Sequence, residues 1–233
     1  KLHRALSAKF PGSFVSFVDF SEDGSQLLFA VMSDRDPGHY MLIDTHTYKV
    51  RNLFAVSPWM DPAKMSERRS LRFKASDGME LEAILTFPQG KAETDLPMVL
   101  LPHGGPHGIS DSWYYNEDAQ FLANRGYLVL QVNYRGSGGR GSAFEQAGWL
   151  KWGTRIQDDL IDGVKWAIGQ HYADSKRICV YGASFGGYSA MVTAARAPDP
   201  FTRAACDAGI YALDIMHTQG DTKTRQPRLS QPR

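Results

Sequence analysis

The residue with the most chemistry in its surroundings is Ser184, at the centre of Gly182-Ala183-Ser184-Phe185-Gly186. An apolar run, Arg177-Ile178-Cys179-Val180-Tyr181, precedes it, and a run of small residues from Tyr188 to Ala195 follows. Strand, G-x-S-x-G, helix is the order that holds a serine for attack on a carbonyl carbon. The turn is too tight for side chains two residues either side, so Gly182 and Gly186 supply room. The helix that starts behind the serine points N–H groups at developing negative charge. The competing reading is a tight strand–helix turn with no chemistry. A second loop weighs against it: His103-Gly104-Gly105-Pro106-His107, just after the apolar Met98-Val99-Leu100-Leu101. Attack on a carbonyl needs two N–H donors for the oxyanion, one after the nucleophile and one from such a loop. We assign Phe185 N–H and Gly105 N–H, with His103, Gly104 and Tyr188 as further members of the active-site loops. Each donor is worth about 3–4 kcal/mol in a transition state.

Other features compete less well. His103 and His107 are four apart, a metal-ligand spacing only on a helix, which Gly-Gly-Pro forbids. No metal and no cofactor is expected. Arg135-Gly136-Ser137-Gly138-Gly139-Arg140-Gly141 lacks the Gly-Lys-Ser/Thr ending of a phosphate loop and reads as an active-site rim. Tyr134, Trp149 and Trp152 read as core or loop packing.

The elements that must position these residues differ along the chain. Residues 14–54 hold four short strand-like runs, the first of them alternating, joined by polar turns such as Ser21-Glu22-Asp23-Gly24-Ser25, one antiparallel sheet. Its length suits a single β-propeller blade, which cannot bury both of its faces. A Pro-containing connector spans 55–62, and Ser76-Asp77-Gly78 between two apolar runs signals a hairpin. Beyond Pro97, continuous apolar strands at 98–101, 127–132, 178–181 and 204–206 alternate with helical segments. This predicts a parallel sheet covered on both faces. The clearest helix carries Ile156, Leu160, Val164 and Ile168 at steps of four, with Asp158 and Asp159 in its first turn favouring the dipole. Ligands bind such sheets at the carboxyl ends of the strands, where Ser184 lies.

Composition sets bounds. With 233 residues, 42% of them hydrophobic, the chain can bury a core. A formal charge of +1 gives no reason to expect nucleic acid. No apolar stretch approaches the ~20 residues of a membrane span, and the start lacks the apolar region of a secretory signal. Cys179 and Cys206 cannot build a disulfide framework and are expected as buried thiols on neighbouring strands. Neither compartment nor oligomeric state is set by these features.

Together, His103-Gly104-Gly105-Pro106, Asn133-Tyr134-Arg135-Gly136-Ser137, Gly148-Trp149 with Trp152-Gly153, Asp158-Asp159 and Gly182 to Tyr188 resemble the prolyl oligopeptidase family of serine peptidases. The likeness is to its acylaminoacyl-peptidase and dipeptidyl-peptidase-like branch and runs from about Leu71 to Gly220. It implies an α/β class, an α/β-hydrolase fold preceded by a β-propeller blade-like segment. Residues 1–55 would be the blade, 56–70 a linker and 71–233 a partial catalytic domain. It also implies acyl transfer from short peptides, admitted past a propeller, to Ser184, with Gly105 and Phe185 amides as the oxyanion hole. His103 stands where some relatives have a tyrosine. An esterase on the same fold and a non-catalytic interaction module stay open.

One departure matters. The family's acid and base follow the serine on later loops, in the order Ser, Asp, His. Only 49 residues follow Ser184, and they contain one histidine, His217, three past Asp214 with no strand between. The stretch 222–233 carries four basic residues and two prolines and reads as a disordered end. The expectation is an incomplete hydrolase, lacking its last strands, exposing a sheet edge, and nearly inactive by itself because removing a triad base costs on the order of 10⁶ in turnover.

Overall fold

The computed structural model describes residues 1–212. Asp214, His217 and the basic stretch lie outside the described residues.

The four short runs form one antiparallel sheet in the order β1 (Phe14–Phe20), β2 (Gln26–Met32), β3 (His39–Asp44), β4 (Val50–Ala55). Asp side chains close its turns: Asp23 Oδ1 accepts from Ser21 Oγ and Ser25 N–H, and Asp44 Oδ1 from His46 and Thr47 N–H. One face is covered by a helix that the sequence reading missed, α1 (Leu2–Lys9). Its Leu6 packs with Val15, Leu27, Phe29, Val31 and Ile43. Val18, Phe20 and Phe54 stay exposed on this sheet.

The second sheet has six strands: β5 (Arg68–Lys74), β6 (Glu80–Thr86), β7 (Leu96–Leu100), β8 (Leu128–Asn133), β9 (Ala173–Ala183) and β10 (Phe201–Asp207). Their order is β10-β9-β7-β8-β6-β5. The hairpin β5–β6 pairs antiparallel, while β7, β8, β9 and β10 run parallel, as the alternation of strand and helix requires. β5 begins within the stretch expected as linker. On one face α4 (Arg155–Gly169) and α5 (Phe185–Arg196) cover Leu81, Leu85, Met98, Leu100, Leu128 and Leu130. On the other, α2 (Glu117–Ala123) packs Ala119 against Leu101 and Val129. A short α3 (Ser142–Gln146) lies between β8 and α4.

Two expectations need correction. Cys179 and Cys206 do lie on neighbouring strands, but Cys179 is half-buried and Cys206 exposed. β10 is the terminal strand among the described residues, and apart from the half-buried Phe201 its residues are exposed. Asp159 is not a dipole partner in solvent. It is wholly buried, and only the half-buried Asp158 remains as the acid of the first turn. Trp149, 38% exposed, is not core, whereas Tyr134 is wholly buried.

A polar cluster packs α4 onto α5, and a glycine brings it close to the sheet. Gln157 donates to Trp152 O and Ser189 Oγ and accepts from Thr193 Oγ1, so that no member is left unpaired. Gly163 lets α4 approach β8, since a Cβ there would stand 2.7 Å from Val132 Cγ2 and 3.4 Å from Phe73 Cζ. Alanine has the better helix propensity by up to about 1 kcal/mol, but forcing a methyl into a close-packed contact costs about 1–3 kcal/mol. Packing should win. Gly163→Ala is expected to lower stability in urea denaturation, and a stabilised variant would contradict this account of the α4–β8 contact.

Candidate active site

β9 ends at Ala183 and α5 begins at Phe185, so Ser184 alone makes the turn. Its φ is +54° with ψ −124°, a region that costs a non-glycine residue about 1–3 kcal/mol and persists only where its surroundings hold it. They do so at close range. A Cβ on Gly182 would collide with Gly186 O, and one on Gly186 with Pro102 O. Gly187 lies where a Cβ would meet Asp207 O and Gly209 Cα, each at 3.0 Å. Ser184 N–H donates to Asp207 O at 3.0 Å, tying the turn to the end of β10. Ser184 itself is exposed. Among the described residues no side chain hydrogen-bonds its hydroxyl.

The His103–Gly105 loop lies against this turn. A Cβ on Gly104 would stand 3.8 Å from Ser184 Cβ. Gly105 has φ +122°, open to glycine alone, and a Cβ there would press within 3.2 Å of His107 N. The loop is held from beneath by β8 and the glycine-rich rim. The His103 ring stacks on Tyr134, centroids 4.2 Å apart, and the Tyr134 hydroxyl donates to His103 O at 2.9 Å. His103 Nε2 meets Ser137 Oγ at 2.8 Å and Nδ1 donates to Gly104 O at 2.7 Å. Trp152 Nε1 donates to His107 Nε2 at 2.9 Å. The two imidazoles therefore face different partners. Gly138 rides directly on Gly108, where a Cβ could not fit, so the rim loop packs on the loop bearing Gly105.

The predicted site residues thus fall into two groups. Ser184 and Gly104 meet at the carboxyl ends of β7 and β9, while Gly105, next along the loop, faces His107 and Ile109. Phe185 contributes its backbone at the start of α5, while its ring is wholly buried among Tyr134, Trp152 and Tyr188. Tyr188 is not on a loop: it is a helical residue, 7% exposed, facing Gly153.

Sequence reading missed the support beneath the rim. Arg135 donates from N and Nε to Asp159 Oδ2 (2.9 Å each) and from Nη2 to Asp159 Oδ1 (2.6 Å), and reaches Asp77 at 2.9 Å. Burial pushes the Asp159 carboxyl up against the pull of Arg135, and the pair holds the guanidinium charged. With three hydrogen bonds from one residue, the ion pair is the state this geometry supports. Removing one partner of such a pair strands the other and costs about 3–5 kcal/mol. Both residues stood in separate motifs, and nothing in their spacing joined them.

Two tests follow from the site. Asp159→Ala should cost about 3–5 kcal/mol in denaturation, and a loss below 1 kcal/mol would show that the pair supports nothing. Burial pushes His103 and His107 each down to about 4, and pushes Asp111, behind the loop, up to about 7. An unfolded imidazole takes its proton near 6.5, the folded ring not until about 4, so protons between those values favour unfolding. Asp111 acts in the opposite sense between 3.8 and about 7, where the folded carboxyl holds the extra proton. The two rings outweigh the one carboxyl, and stability should fall from pH 6.5 toward 4. His103→Gln should flatten that fall by about 1.4 kcal/mol per pH unit. An unchanged slope would mean the ring is not held neutral.

Residues 113–231 match the prolyl oligopeptidase family. Dipeptidyl aminopeptidase BIII of Pseudoxanthomonas mexicana is 34% identical over 220 residues, covering 91% of this chain and 31% of that protein. A puromycin-hydrolyzing peptidase of Mycobacterium tuberculosis superposes with a TM-score of 0.71 at 26% identity, over 80% of this chain and 30% of that one. An acylaminoacyl peptidase of Pyrococcus horikoshii shares the fold with a TM-score of 0.72 at 24% identity, over 94% of this chain and 37% of that one. The chain spans about three-tenths of the length of the curated relatives it matches. No helix among the described residues is long and apolar enough to cross a membrane. With its serine turn, its glycine loop and a family match over half its length, this chain belongs to the prolyl oligopeptidase family of peptidases.

Proposed function

We propose that Ser184 is the nucleophile of a serine peptidase that cleaves short peptides through an acyl-enzyme, with Gly105 and Phe185 N–H as its oxyanion hole. The observation that carries this is the exposed serine held at φ +54° beside the His103–Gly105 loop. Backbone strain of this kind clusters at active sites. In the forward step Ser184 Oγ bonds to the substrate carbonyl carbon, its proton passes to a base, and the leaving amine takes that proton as the peptide C–N bond breaks. Water then releases the acyl group by the reverse roles.

Among the described residues no histidine is hydrogen-bonded to Ser184, and His103 is committed to Ser137, Tyr134 and Gly104. We place the base and its acid partner outside these 233 residues, which align with only 31% of dipeptidyl aminopeptidase BIII. Residues 1–55 read as a propeller blade, 56–70 as a linker and 71–233 as part of an α/β-hydrolase domain. The relatives named as dipeptidyl aminopeptidase and puromycin-hydrolyzing peptidase support amide cleavage over ester cleavage.

In the whole protein, Ser184→Ala should abolish turnover of aminoacyl p-nitroanilides by a factor on the order of 10⁶. Turnover of p-nitrophenyl esters alone would instead make it an esterase. The 233-residue chain, treated with a fluorophosphonate and weighed intact, should gain negligible mass. Rapid stoichiometric labelling of Ser184 there would overturn the placement of the base.

A further inference from the structure

His107 is half-buried, and the two nitrogens of its ring stand in unequal positions. Nε2 accepts from Trp152 Nε1 at 2.9 Å, while Nδ1 is buried and has no hydrogen-bond partner. An indole can only donate, so Nε2 must carry the lone pair and Nδ1 the hydrogen. Burial keeps the ring uncharged at neutral pH, pushing its pKa down to about 4. The stranded Nδ1–H faces Gly136, where a Cβ would stand 3.1 Å from Nδ1. A buried N–H without a partner is costly and calls for an explanation. The bond on the other side of the ring supplies one.

Residues 152–154 are mounted on α5 by three separate contacts. The Trp152 ring lies edge-on to the Phe185 ring, centroids 5.3 Å apart. The Trp152 carbonyl accepts from Gln157 Nε2 at 2.7 Å, and Gln157 of α4 in turn holds Ser189 and Thr193 of α5. Arg196, the last residue of α5, donates to the carbonyls of Gly153 and Thr154. The indole is thus fixed to the helix whose first residue is Phe185. Its one polar atom reaches the other loop. Pro102 and Gly104 hold the near end of that loop, packed on Gly186 and Ser184. The Trp152–His107 bond holds its far end, two residues past Gly105, whose own Cβ position lies 3.2 Å from His107 N.

From this we infer that Trp152 is a positioning residue, coupling the Gly105 amide to the Phe185 amide through its bond to His107. This rests on the peptidase reading, in which both N–H groups must converge on a single oxygen. Phe185 N–H is placed by α5. Gly105 N–H is placed by a loop, and Trp152 ties that loop to the same helix. A donor displaced by about 1 Å can cost on the order of 10²-fold in rate. The unpaired Nδ1–H is then the consequence of committing Nε2 to the indole.

The test has one arm without turnover and one with it. In the 233-residue chain at neutral pH, nitrogen NMR of the imidazoles should show His107 as the Nδ1–H tautomer. Trp152→Phe, folded by circular dichroism, should lose that bias. In the whole protein, Trp152→Phe should lower kcat for an aminoacyl p-nitroanilide about tenfold to a hundredfold, with KM within about twofold. His107→Leu should do the same, and the double variant should be no slower than either single one, since both remove one bond. His107→Gln, whose amide oxygen can accept from the indole, should keep most of the rate. Should Trp152→Phe fail to fold, His107→Leu against His107→Gln carries the decision. An unchanged kcat, a loss confined to KM, equal losses in His107→Leu and His107→Gln, or a His107 ring without tautomer bias would overturn the coupling. Those results beside an inactive Ser184→Ala would sink the coupling alone, whereas an active Ser184→Ala would sink the peptidase reading.

Discussion

The close approach of three backbones around Ser184 is the constraint from which the rest of the structure follows. Gly182 meets Gly186 and Gly186 meets Pro102 at distances that admit no side chain, and Gly187 meets the end of β10 in a tight contact. A serine at positive φ does not stay there by itself. It is kept there because β9, the loop after β7 and β10 converge on one point, and the parallel order of those strands brings their carboxyl ends together. The fold thus spends conformational energy locally and recovers it through a core of Met98, Leu100, Leu128, Leu130 and Val180.

Two buried cations organise the surroundings in different ways. Arg135 is answered at once by Asp159, and the pair pins the rim loop to the start of α4. The Arg68 guanidinium is hydrogen-bonded by neutral groups, and one of them, Gln131, also donates to Asp111. Burial lowers the Arg68 pKa to about 10, with Asp111 and Asp34 opposing that fall, so it remains charged at neutral pH. The same face binds the two sheets. Asp34, on the turn between β2 and β3, accepts from Arg68 N–H with Oδ2, and Gln120 of α2 donates to Asp34 O and Ser66 O.

Much of this was legible because the signals were local. The alternation in Phe14–Phe20, the Ser76-Asp77-Gly78 turn, and the glycines about Ser184 each follow from the period or turn they impose. What failed to show depended on distance along the chain. Asp159 looked like a dipole partner because its neighbour Asp158 is one, and only the meeting of α4 with Arg135 separates them. Cys206 looked buried because strands flanked by others are apolar, yet β10 is terminal among the described residues. The short α1 has too little periodicity to stand out, and its fit to the first sheet depends on Leu6 alone becoming buried. Asp111 gave no sign at all, since its environment is assembled from β5, β6, β8 and α2.

The central claim is that the turn at Ser184 and the amides of Gly105 and Phe185 are shaped around one tetrahedral carbon. A crystal structure of the whole protein reacted with a peptidyl fluorophosphonate tests it most directly. The adduct should sit on Ser184 Oγ, with one phosphoryl oxygen about 2.7–3.1 Å from both N–H groups. An adduct on another residue, or one on Ser184 with that oxygen turned to solvent, would contradict the account.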